Sequence, residues 1–224
     1  MNDTTAGTPS EDSRPSQGAR ELTWPEYIGW GWMIVQARME ADWKGIWNYA
    51  VPHVHATEET VASTEAQLGF RLPESYRGFL LASNGWPYFY LDMTAFSTSD
   101  LLGGDLHKAG QIQLELPECV EAMTAGGVIA ADHFPVAASL ESIDVALMGK
   151  PGTPAAGTVS WVRGEVIERY DDFLDYYLSM MELSKQETES IRRKDGPKPA
   201  GVPHAVIGRP GSPPVFEHAR RDDL

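Results

Sequence analysis

Cysteine is nearly absent from this chain: Cys119 is alone among 224 residues, so no internal disulfide can form and packing must hold the fold. A secreted chain of this size would more often carry paired cysteines, which favours a reducing compartment and a cytoplasmic setting. Long apolar runs are missing too. The longest uncharged stretch of the front half, residues 27 to 37, is too short to cross a bilayer and contains Gly29 and Gly31. The first twenty residues lack the apolar core of a secretory signal, so neither export nor membrane insertion is expected.

Basic residues are scarce. Lys and Arg number 18 against 32 Asp and Glu, a formal charge of −14. Residues 22–194 hold 24 acids and 12 bases, and residues 86–182 alone hold 15 acids against 4 bases. A surface of this kind repels nucleic acid and anionic membranes and attracts cationic proteins.

Chemistry-bearing motifs are also thin. His53 and His55 form a His-x-His pair, but no third ligand is evident, so no metal or other cofactor is expected. Cys119, flanked by Glu118 and Glu121, is a poor nucleophile because negative surroundings repel a thiolate. No Gly-x-Ser-x-Gly elbow occurs, and Gly103-Gly104 and Gly126-Gly127 lack the lysine and spacing of a phosphate loop. Asp100 with Asp105 and Asp171 with Asp172 are adjacencies expected among so many acids. The chain reads as a non-enzyme for which a small-molecule substrate is not expected.

What is present is a legible order of elements. Pro25 and an aromatic stripe (Ile28, Trp32, Val35, Met39, Trp43, Ile46 and Trp47) predict a helix over about 26–49, or two shorter ones broken at the glycines. Thr57 caps a second helix that Gly69 ends, and Pro73 opens a third over 74–83 that Asn84-Gly85 closes. The period then changes. Strands or extended segments are predicted at 86–93, 112–116, 128–131, 136–138, 142–148, 158–162 and 166–170, the last two joined as a hairpin through Gly164. Asp171 and Asp172 open a closing helix with a buried stripe of Phe173, Leu174, Tyr177, Leu178 and Met181.

The run Glu65-x-x-Leu68-Gly69-x-x-Leu72-Pro73-x-x-Tyr76-x-x-Phe79-Leu80-x-x-x-Asn84-Gly85 resembles the signature of the SUKH superfamily, which contains fungal cell-wall regulators of the Smi/Knr type and many bacterial immunity proteins. Tyr170-Asp171-Asp172-Phe173-Leu174-x-x-Tyr177-Leu178 is similar to that family's closing strand and helix. The match spans about 57–181. It departs at Trp86, where many members carry a second glycine.

The resemblance implies an α+β fold: two short N-terminal helices, a twisted, mostly antiparallel sheet of five or six strands and a closing C-terminal helix. The expected organisation is a flexible tail at 1–21, a Trp-rich helical extension at 22–56 packed on the domain, a SUKH-like domain at 57–194 and a Pro/Gly-rich flexible tail at 195–224. The resemblance also implies a protein-binding module, of which bacterial members commonly neutralise a toxin, frequently a nuclease. The alternative is an intracellular regulatory or scaffold protein of the cell-wall type. The residues expected to meet a basic protein partner, such as a toxin domain, are Trp86, Tyr88, Tyr90, Asp92, Asp100, Asp105, Glu115, Glu118 and Glu121, an acidic rim interleaved with aromatic anchors.

Overall fold

The computed structural model describes residues 22–198 and residue 201. Helix α1 (Trp24–Ala41) begins where the Thr23 N–H donates to Glu26 Oε2 at 2.8 Å, with Pro25 in its first turn. It stops well short of the expected residue 49, and Asp42 is the reason. In a continuing helix the N–H of Ile46 would bond the Asp42 carbonyl. Here the Asp42 carboxylate takes that N–H at 3.0 Å, the N–H of Trp47 at 2.9 Å and the Tyr49 hydroxyl at 3.1 Å. A side chain competing for backbone donors turns the helix into a loop.

Helices α2 (Glu58–Leu68) and α3 (Glu74–Ala82) follow as the caps predict. Thr57 Oγ1 accepts from Thr60 N, and Gly69 adopts φ 78°, the left-handed residue that ends α2. Glu65 reaches past that turn to accept the Leu72 N–H at 2.9 Å, which locks the two helices into one unit.

The sheet has six antiparallel strands in sequence order: β1 (Trp86–Tyr90), β2 (Met93–Ala95), β3 (His133–Ala138), β4 (Asp144–Gly149), β5 (Val159–Arg163) and β6 (Val166–Tyr170). The expected strand at 86–93 is therefore two strands and a tight turn. Between β2 and β3 lie three helices that replace the expected strands at 112–116 and 128–131: α4 (Thr98–Leu102), α5 (Asp105–Glu115) and α6 (Pro117–Ala125), followed by a 3-10 turn (Ala130–Asp132). Ile112-Gln113-Leu114-Glu115-Leu116 alternates like a strand, yet Ile112 is 49 % exposed while Gln113 is buried. The helical period of α5 overrides the local alternation. Ile143, inside the strand expected over 142–148, lies outside β4 and is exposed.

Helix α7 (Phe173–Asp195) closes the chain, capped by the Asp172 carboxylate accepting from Asp175 N. It runs alongside α1 in the same direction, with Tyr177 near Tyr27, Arg38 bonded to Ser184 and Lys44 paired with Asp195. Rings of Trp24, Tyr76, Phe79, Phe173 and Tyr177 meet at centroid distances between 4.7 and 6.1 Å and seal α1, α3 and α7 into one core. Trp24, Tyr27, Trp30, Trp32, Trp47 and Tyr49 thus pack in or against the core. The expectations for residues 1–21 and for most of 195–224 fall outside the described residues.

Two buried details predict stability effects. A Cβ at Gly31 would overlap the Tyr177 hydroxyl, which donates to the Tyr27 carbonyl at 2.8 Å. Gly31→Ala should therefore destabilise by about 1–3 kcal/mol in spite of alanine's better helix propensity, measured by urea unfolding; an unchanged midpoint would refute the contact. Arg38 is fully buried, its pKa lowered by desolvation; Nη1 bonds Ser184 Oγ at 2.8 Å, Tyr49 lies under the guanidinium, and among the described residues no carboxylate is in ion-pair reach and Nε has no hydrogen-bond partner. Arg38→Met, which keeps much of the volume and removes the charge, should hold or raise Tm, while Arg38→Ala should lower stability by about 3 kcal/mol.

Candidate functional site

The nine residues expected to meet a partner do not form one surface. Trp86 is a correction: it is fully buried, its Nε1–H donates to the Ala50 carbonyl at 3.0 Å, and its ring packs near Trp32 and Tyr177. Asp100 is spent on the start of α4, where it accepts from the Ser97 N–H at 2.8 Å and the Ser97 hydroxyl at 2.6 Å. The remaining seven divide between the two ends of the sheet.

At the β1–β2 turn lie Tyr88, Tyr90 and Asp92. Tyr88 has φ 54° and Leu91 φ 50°, a conformation that costs of order 1 kcal/mol at each non-glycine residue. Asp92 accepts from Ser139 Oγ at 2.9 Å, joining this turn to the loop between β3 and β4, and that same Oγ accepts the N–H groups of Glu141 and Ser142. Beside it, buried Asp144 takes three bonds from the Arg163 guanidinium and one from Trp161 Nε1 at 2.8 Å. The Tyr90 ring meets Trp161 edge to face, and burial raises its hydroxyl pKa. The exposed side chains here include Leu140, Glu141 and Ile143.

At the other end, α5 and α6 carry Asp105, Glu115, Glu118 and Glu121, all exposed. Asp105 pairs with Lys108; Glu118 and Glu121, three residues apart, share a face of α6. Glu115 stands beside a cleft of about 550 Å³ that is also lined by Val120, Thr124, Phe134 and Lys150. β3 separates the two groups: Ala138 adjoins the first and His133 the second, five residues or about 16 Å of strand apart.

A second cleft of about 370 Å³ opens next to the first, and both are lined by Ile129 and His133. It draws on residues 127–133, 154–160 and 169–171, which the chain brings together only when β3, β5 and β6 align. His133 is 3 % exposed; its Nδ1 lies 2.7 Å from the Ile129 carbonyl and must carry the proton, and burial lowers its pKa, so the ring is neutral near pH 7. No local pattern marks this histidine's setting, because its neighbours in the cleft lie up to 38 positions away.

Among the described residues no three His, Cys, Asp or Glu side chains converge as a metal would require. His53 and His55 are exposed and each ring turns Nδ1 toward a backbone carbonyl, that of Asn84 and of Ala56. No helix among the described residues is long and apolar enough to cross a membrane.

No curated protein matches this chain. The comparison with known families matches residues 55–179, more than half of the chain, to the SMI1 / KNR4 family (SUKH-1). That span runs from the residues just before α2 into α7 and so takes in the whole sheet. With the motif, the six-stranded sheet and the closing helix in agreement, the chain belongs to the SMI1 / KNR4 family (SUKH-1).

Proposed function

We propose that this chain is an immunity-type protein that binds a cationic toxin domain and masks it stoichiometrically, without chemistry of its own. The observation that carries the reading is the set of exposed carboxylates on α5 and α6. Glu115, Glu118 and Glu121 make no ion pair among the described residues, so their field is available to a partner. Family membership supports a module of the immunity or regulator type. Net charge of −14 supports a basic partner over an acidic one. A nuclease suits such a partner, because the surface it offers to a phosphate backbone is cationic and would be covered by an acidic face.

Unpaired surface acids act mainly on encounter and on selection between partners, with affinity supplied by apolar contacts. The exposed Ile112, Leu116 and Ile129 stand among these acids in the chain and supply apolar area next to the charge. The domain plan that goes with this reading is a binding unit over 57–194, braced by the Trp-rich segment 22–56.

Co-expression with the toxin encoded beside its gene should restore growth, and the two proteins should co-purify. The triple variant Glu115→Lys, Glu118→Lys and Glu121→Lys should weaken capture by about tenfold or more at low salt, and added salt should narrow the difference. Capture of cell-envelope or signalling proteins with no toxin rescue would favour the regulatory alternative, and capture indifferent to both salt and the triple variant would refute the acidic-face mechanism.

A further inference from the structure

Helices α1 and α7 leave a groove of about 300 Å³ between them, lined on one side by Trp30, Met33 and Ala37 and on the other by Lys185, Thr188 and Arg192. Its apolar strip is open to water. Met33 is 68 % exposed, although the next two residues of α1, Ile34 and Val35, are buried. The Trp30 ring lies under Lys185 Nζ at 4.7 Å and is only half-buried. A thioether and an indole set in a concave, wet site gain by being covered. Charge beside the groove disfavours a cationic occupant: Lys185 and Arg192 line it, and Arg193 and Lys194 follow on α7. Glu189 stands among them, so an anionic occupant gains little either. An uncharged apolar segment suits the site better than either.

The chain supplies such a segment at short range. Helix α7 ends at Asp195, where Gly196 takes φ 66° and turns the backbone. Gly196, Pro197 and Lys198 then line a neighbouring hollow with Glu40, Ala41 and Trp43 at the end of α1. Arg192 lines that hollow and the groove alike, so the chain is already beside the groove at Lys198. From Ala37 back to Trp30, or from Arg192 back to Lys185, the groove is about 10 Å long. At roughly 3.3 Å per extended residue, the stretch from Lys198 to Ile207 reaches about 30 Å, enough to return along the groove with slack. Within that reach stand Val202-Pro203-His204-Ala205-Val206-Ile207, which hold the first branched apolar residues after α7. From Pro199 to Gly208 there is no Asp, Glu, Lys or Arg, and Pro203 favours extended backbone at Val202.

We infer that residues 202–207, which lie outside the described residues, dock in cis along the α1–α7 groove as a strap, with Val206 and Ile207 covering Met33 and the Trp30 ring. Little intrinsic affinity is needed, because a short tether sets an effective concentration in the millimolar range. The strap withholds an apolar surface from other proteins, and a partner that took up residues 202–207 would expose it. This contact is independent of the acidic surface on α5 and α6, and neither needs the other.

The test uses the full chain and follows hydrogen-peroxide oxidation of individual methionines by mass spectrometry. Met33 oxidises readily when uncovered and slowly beneath the strap. A segment docked about four-fifths of the time slows it about fivefold, so Val206→Asp with Ile207→Asp should speed Met33 oxidation by about that factor. The buried Met123 and Met180 should keep their rates, which shows that the fold is unchanged. The blocked peptide acetyl-Val-Pro-His-Ala-Val-Ile-amide, at millimolar concentration, should restore protection to the double variant. Equal Met33 rates in wild type and variant, or no protection by the peptide, would overturn the inference. So would wild-type protection that fades on tenfold dilution, the mark of a second copy in the groove. Met33 that is fast in both proteins and slowed only by phosphatidylglycerol vesicles would overturn it in favour of a lipid surface.

Discussion

All six residues of β3 and all six of β4 are buried, and successive residues of a strand point to opposite faces. The middle of the sheet must therefore be covered on both sides. One cover is α5, which approaches so closely that a Cβ at Gly110 would overlap Pro135 and touch Val145. Another is the aromatic assembly of α1, α3 and α7, where Phe89 and Met93 of the first strands meet Tyr176. A sheet with a solvated face would have shown polar residues at every second position. Val145-Ala146-Leu147-Met148 shows none, and the placement of the helices follows from that demand.

The same demand explains which parts of the fold were legible. Thr57, Gly69, Pro73 and Asp172 act on their immediate neighbours through caps and fixed backbone angles, so their effects can be read locally. The hairpin at Gly164, with φ 71°, is equally local. Residues 98–125 were not legible, because what makes them helices is the sheet they cover. Gly110 weakens helix propensity and is present for close approach, and Gln113 sits on the buried side where a pattern reader expects Ile112. Asp42 misled in the opposite sense. Nothing in its own composition distinguishes a helix-interior acid from one that captures Ile46 and Trp47, although the captured N–H groups decide where α1 ends.

The partner surface shows a similar division. Acidity of the stretch 86–182 was visible as composition, and the exposed acids of α5 and α6 agree with it. Trp86 and Asp100 read as surface anchors because they fall inside that stretch, yet one is needed between α1, β1 and α7 and the other to start α4. The cleft at His133 could not be read, since Asp132 and Asp171 in its lining come from the turn before β3 and the end of β6. Only the strand register that sets Val159 opposite both Met148 and Tyr170 brings those two positions together.

Charge acts on two length scales here, and they must be kept apart. At physiological ionic strength the Debye length is about 8 Å, so a net charge of −14 cannot direct a partner from afar to one face. What a partner senses at contact is local imbalance. Arg163 offsets Asp144 and Lys108 offsets Asp105, while Arg77 serves both Glu58 and Glu65. These pairs engage a minority of the carboxylates among the described residues. Glu115, Glu118 and Glu121, which make no ion pair among the described residues, are the carboxylates on which the proposed recognition rests, and they stand close in the chain because α5 and α6 follow one another directly before β3.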